Sequence, residues 1–148
     1  MATENRSATA ETQIHDLVNG WAEAVRAGDI DARLANYAPD VLAFDVVNPL
    51  QRLGANAIRE RLETWLASFQ GPVGYELRDL RVAAADDIAF CHSLNHISGT
   101  LKAGDDIDMW VRTTVCFRMI GGRWLATHEH TSSPFDIETG KASVDLKP

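Results

Sequence analysis

The chain has 148 residues, 45% of them hydrophobic and 24% charged, the composition of one globular domain with its own core. Its 21 Asp and Glu against 14 Lys and Arg leave a net charge of −7. A surface of that sign repels phosphate backbones and anionic lipid, which argues against nucleic-acid and membrane-surface partners.

Residues 1–11 are polar, rich in Ala, Thr and Glu, and carry no apolar signal core, so they read as a disordered N-terminal segment of a soluble, cytoplasmic protein. Ile14, Leu17, Val18, Trp21 and Val25 then recur at helical spacing, and Gly28 is placed to end that helix. Asp29 caps a short second helix with Ile30, Leu34 and Tyr37 on one stripe, stopped by Pro39. Val41 to Val47 alternates and is β-branched, the pattern of a strand. After the loop from Asn48 to Gly54, a third helix carries Ile58, Leu62, Trp65, Leu66 and Phe69, and Gly71-Pro72 closes it.

From residue 73 the period becomes strand-like. Val73–Ala83, Ile88–Thr100, Asp106–Ile120 and Arg123–Ser132 are four long strands, separated by Asp86-Asp87, Ala103-Gly104-Asp105 and Gly121-Gly122 turns. Helices first and antiparallel strands afterwards predict an α+β fold. The expected architecture is a cone of three N-terminal helices packed on a strongly curved antiparallel sheet, with a pocket inside. The domain is expected over residues 12–135, followed by a C-terminal tail over 136–148.

Cys91 and Cys116 both lie in apolar strands without a Cys-x-x-Cys partner or a run of basic neighbours, and read as two reduced core thiols, with a disulfide between them as the alternative. The chain has no G-x-G-x-x-G, P-loop, H-E-x-x-H or G-x-S-x-G sequence, so no nucleotide cofactor or serine nucleophile is expected.

The order of elements, with Gly28-Asp29-Ile30-Asp31-Ala32, Tyr37-Ala38-Pro39-Asp40, Gly54 and Gly122-Arg123-Trp124 leading into His128-Glu129-His130-Thr131-Ser132, resembles the nuclear transport factor 2-like superfamily. The SnoaL-like group is most similar, and the calcium/calmodulin-dependent kinase association domain is similar in its last strand. The resemblance implies the cone fold, which hosts isomerases, dehydratases, hydrolases and inert assembly modules. Laid over ketosteroid isomerase, it places the general-base Asp at Asp45, a match. It places the oxyanion Tyr at Trp21 and the oxyanion acid at Thr114 or Val115, so both donors of that mechanism are missing.

Asp45 shares a strand face with Val41, Ala43 and Val47, where a carboxylate must be solvated or paired. It reads either as a general base or as a partner of the Asn48-Pro49 turn or Arg52. His92 and His96 share a face with Phe90 and Leu94, which the resemblance turns into the cone; His92 would assist Asp45 or be a satisfied core histidine. Trp21, Tyr37 and Trp65 are expected among the ligand-binding residues, with the first two at the pocket wall. Arg112 is a cation in an apolar strand, placed to anchor an anionic ligand or pair with Glu129 or an interface acid.

His128 and His130 lie on one face of the last strand. The resemblance turns Thr127, Glu129 and Thr131 into the cone and sets Trp124, His128 and His130 on the convex face, at a homodimer interface. No metal is expected there. The functional expectation is a cofactor-free acid/base enzyme for a small hydrophobic, carbonyl-bearing molecule, catalysed by Asp45 and His92 and bound by Trp21, Tyr37, Trp65, Phe90, Arg112, Glu129 and Thr131. The alternative is a non-catalytic binding or assembly module.

Overall fold

The computed structural model describes residues 1–148 as three helices and a six-stranded sheet. Helix α1, Ala2–Ala27, buries Ile14, Val18, Trp21 and Val25, the stripe its periodicity marks. It begins earlier than expected: Ala10 is buried and Ser7 Oγ donates to the Ala84 carbonyl at 2.7 Å, so residues 2–11 continue the helix. Gly28 ends it in the left-handed conformation (φ 70°), its N–H donating to the Val25 carbonyl. Asp29 then caps helix α2, Ile30–Leu34, by accepting from the Ala32 N–H at 3.0 Å.

Strand β1 is Tyr37–Phe44, so Tyr37 and Pro39 belong to a strand and not to the second helix. The pairing of β1 shifts register between Tyr37 and Leu42, the irregular stretch in which a proline without an N–H is tolerated. A two-residue strand, β2 (Arg52–Leu53), pairs with β1, and helix α3 runs Ala55–Ala67. The remaining strands are β3 (Gly74–Ala84), β4 (Ile88–Thr100), β5 (Asp106–Ile120) and β6 (Arg123–Ser132), close to the expected bounds.

The strand order is β2-β1-β6-β5-β4-β3. Consecutive strands from β3 to β6 are antiparallel hairpins, but β1 lies parallel to β6, so the sheet is mixed. The helices cover one face, and between that inner face and α1 lies the core: Ile14, Trp21, Val41, Val115, Phe117, Trp124 and Ala126 are all buried. At the far end Gly99 takes φ 152° beneath the ring of Phe69, where a Cβ would stand 2.9 Å from Phe69 Cδ1.

Two strands are phased differently from expectation. In β4 the buried positions are Ala89, Cys91, Ser93 and Asn95, so Phe90 and His92 point out of the sheet's other face. The two cysteines also face opposite sides, since Cys91 pairs across from Val115 and Cys116 from Phe90.

In β6 a β-bulge resets the alternation. Phe117 pairs with Ala126 but Cys116 pairs with His128, leaving Thr127 as an extra residue. Trp124 and Ala126 before the bulge therefore face the core, and Glu129 and Thr131 after it also face inward. Trp124, expected at an outer interface, is 5% exposed and donates from Nε1 to Gln13 Oε1 of α1 at 3.1 Å. The bulge predicts that Trp124→Ala destabilises the fold by about 3–5 kcal/mol, the cost of emptying a core aromatic site. Urea unfolding measures this, and a loss below about 0.5 kcal/mol would put the ring at the surface instead.

Candidate functional site

The inner face of the sheet's far half, α2, α3 and the Asp45–Val47 segment enclose a cavity of about 390 Å³. That size suits a small organic molecule. Its walls are apolar, with Ile58, Leu62 and Trp65 from α3 opposite Ile107, Met109 and Val111 from β5. Trp65 packs edge-on against Phe69 at 5.5 Å, so two aromatic rings shape one end. Against these walls stand a few polar groups: Arg33, Asp45, Arg61, Tyr75, Glu129 and Thr131.

One polar group behind these walls is built on Arg33. Its guanidinium lies 4.5 Å from the Trp21 ring centroid and 5.0 Å from that of Tyr37, a cation on two aromatic faces. Its Nη2 is 3.7 Å from Glu129 Oε2, and the Tyr37 hydroxyl donates to the same carboxylate oxygen. Burial works against the Arg33 charge, but Tyr37 and Glu129 outweigh it and hold the guanidinium proton more tightly than usual. Trp21 and Tyr37 thus sit one layer behind the cavity, and Arg33, which the sequence did not single out, lines it in their place.

Asp45 lies just beyond β1 and lines the cavity. Its carboxylate is committed to other partners: it accepts from Arg61 Nε at 2.9 Å and from the Val46 N–H at 2.7 Å, with Arg52 Nε at 3.6 Å. Here the pairing with Arg52 that the sequence allowed is present, joined by Arg61 from α3.

The remaining predicted residues divide by face. Trp65, Glu129 and Thr131 line the cavity as expected. His92 and Phe90 do not, because β4 turns them to the outer face, so His92 does not meet Asp45. Arg112 is exposed on that outer face too, donating from Nε to Ser132 Oγ at 3.2 Å, and does not pair with inward Glu129. His128 and His130 point outward, with the His128 Nδ1–H donating to the Leu42 carbonyl at 2.7 Å and both rings edge-on to Phe44. No three His, Cys, Asp or Glu side chains gather as a metal site.

A second polar group escaped the sequence reading. Asn95, 2% exposed, donates from Nδ2 to the Tyr75 hydroxyl at 2.8 Å and to Thr113 Oγ1 at 3.0 Å, and accepts from Ser93 Oγ at 2.6 Å. Phasing β4 on Ala89 and Cys91 instead of Phe90 and His92 would have placed Asn95 inward. Burial raises the pKa of Tyr37 well above the usual tyrosine value, and raises that of Tyr75 as well. Burial also pushes the Cys91 thiol up to about 12, which leaves it a poor nucleophile at neutral pH.

A family profile described as SnoaL-like domain matches residues 14–136. A nuclear transport factor 2-like protein of unknown function from Pseudomonas putida KT2440 is 40% identical, with 96% of this chain and 99% of that one covered, at a TM-score of 0.88. A ketosteroid isomerase-like protein from Erwinia carotovora atroseptica shares the fold at 23% identity and a TM-score of 0.71, covering 84% of this chain and 97% of that one. An uncharacterised protein with a cystatin-like fold from Caulobacter vibrioides does so at 18% identity and 0.71, covering 83% and 89%. No curated protein matches the chain.

The chain has only two tyrosines, Tyr37 and Tyr75, and both keep their protons in the folded state beyond the usual range. An unfolded chain would lose those protons at about pH 10. Above that pH the folded state binds more protons than the unfolded one, so stability falls as pH rises. Absorbance of phenolate at alkaline pH is expected to appear only together with loss of the fold's circular dichroism. A normal tyrosine titration near pH 10 in the intact fold would contradict this burial.

Proposed function

The chain belongs to the SnoaL-like domain family, within the nuclear transport factor 2-like superfamily, and on that premise we propose that its cavity takes a small apolar, carbonyl-bearing molecule and moves a proton on it. The family includes isomerases and dehydratases, and proton transfer at the carbon beside a carbonyl is one route into either reaction. One observation carries the proposal: a carboxylate, Glu129, lines a mostly apolar cavity and is held there by Arg33 and the Tyr37 hydroxyl. Holding the carboxylate in place before the ligand arrives supplies the positioning that general-base catalysis needs.

In this reading Glu129 takes a proton from the carbon beside the ligand carbonyl and returns it to the resulting enolate. Arg33 keeps positive charge beside Glu129, while Trp65 and the α3 aliphatics hold the ligand's apolar body. Asp45, the base expected from the sequence, becomes a mouth residue whose ion pairs with Arg61 and Arg52 join α3 and β2 to the end of β1. The step draws only on this chain's side chains.

2-Acetylnaphthalene in D2O is a direct probe, because deuterium uptake at its methyl group reports enolate formation. The protein is expected to accelerate uptake, and Glu129→Gln, which keeps an acceptor for Tyr37, to reduce the acceleration about a hundredfold or more. Unchanged exchange in Glu129→Gln would sink the role. Loss in Asp45→Asn alone would return the role to Asp45.

The second copy expected from the sequence stays a proposal, with Trp124 removed from its surface, His128 and His130 still facing outward and two exposed β4 residues added. Phe90 is 49% exposed and Ile88 52% on the outer sheet face, apolar area that a partner would cover. Phe90→Asp should then shift the protein toward monomer in sedimentation velocity, and a wild type that sediments as a monomer at every concentration would end this reading.

A further inference from the structure

The hydrogen bonds behind the cavity wall have a direction, and that direction selects a ligand. Asn95 uses all its polar atoms: Oδ1 accepts from Ser93, and the Nδ2 hydrogens go to Tyr75 and Thr113. The reversed amide would aim one hydrogen at Ser93 and leave its other hydrogen without a partner in a residue 2% exposed. With the amide this way round, the Tyr75 oxygen already receives a hydrogen bond, and its own proton has no protein acceptor. Thr113 likewise accepts from Asn95, and its proton has Thr131 Oγ1 within reach at 3.3 Å. Either hydroxyl can donate in that pair, so the direction is fixed at Tyr75 alone.

Tyr75 and Thr131 both line the cavity. We propose that the cavity binds its ligand through a neutral carbonyl oxygen that accepts from Tyr75, on a wall where buried Asn95 turns Tyr75 into a donor. A ligand hydroxyl could also accept from Tyr75, but its own proton would then need a further acceptor, which a carbonyl oxygen does not require. A carboxylate would lie beside Glu129, which shares the inward face of β6 with Thr131. This oxygen site rests on the reading that the cavity holds a ligand, and it stands on β3 rather than on the α1 and β5 positions where the family resemblance looked for donors. The raised pKa of Tyr75 keeps its proton available throughout the neutral range.

Calorimetric titration with 2-acetylnaphthalene and its hydrocarbon isostere 2-isopropenylnaphthalene tests the site, since the two differ in the oxygen alone. The ketone is expected to bind the wild type about tenfold more tightly. Tyr75→Phe should erase that preference while leaving the hydrocarbon affinity unchanged. Asn95→Asp, which accepts from Tyr75 instead of donating to it, should erase the preference with Tyr75 still present. The Tyr75→Phe result stands by itself if a buried Asp prevents folding. Equal affinities in the wild type, or a preference that survives Tyr75→Phe, would overturn the oxygen site while leaving the cavity as a ligand site. Tighter binding of 2-naphthoate than of the ketone would overturn it in favour of an anion clamp. If none of the three binds, the cavity reading fails and this proposal fails with it.

Discussion

Everything in the site depends on one extra residue in β6. This strand has to serve two compartments on the same face of the sheet, the core under α1 and the cavity under α2 and α3. Strict alternation from Trp124 would turn Ala126, His128 and His130 inward and leave Glu129 on the outer face. The bulge at Thr127 breaks the period, so a core tryptophan and a cavity carboxylate occupy one strand at an odd spacing.

Once Glu129 is inside, its charge has to be met, because an isolated carboxylate in an apolar cavity is expensive. Arg33 meets it, and Arg33 is itself held over Trp21 and Tyr37. Removing one member of such a set leaves the other charge exposed to low dielectric, which costs more than the pair contributes. The same arrangement therefore does two things. It joins α2 to the sheet, and it keeps a carboxylate in place where a ligand can reach it.

The Asn95 group is a different solution to the same constraint. A buried amide needs every hydrogen and lone pair engaged, and β4 supplies partners from its own Ser93 and from the flanking strands β3 and β5. Satisfying the amide fixes which way the Tyr75 hydroxyl of the cavity faces. Packing beneath a wall thereby sets the chemistry displayed on it.

The elements themselves were legible in the sequence. Helical spacing of Ile14, Val18, Trp21 and Val25, the Gly28-Asp29 boundary, and the turns at Asp86-Asp87 and Gly121-Gly122 are local signals, and local signals set where helices and strands begin and end. The sequence also marks Trp65, Glu129 and Thr131 as inward-facing or pocket residues, and Asp45 as a carboxylate that needs solvent or a partner. Which face each strand turns inward was not legible for β4, where Phe90 and Leu94 on one phase compete with Ala89 and Cys91 on the other. The tertiary structure settles it by placing Ala89 and Cys91 in the core that the α1 side chains Ile14, Val18 and Trp21 fill. The bulge at Thr127 and the parallel pairing of β1 with β6 leave no sequence mark either. They arise from fitting one strand between two neighbours, and so the meeting of Arg33, Tyr37 and Glu129 belongs to the tertiary structure alone.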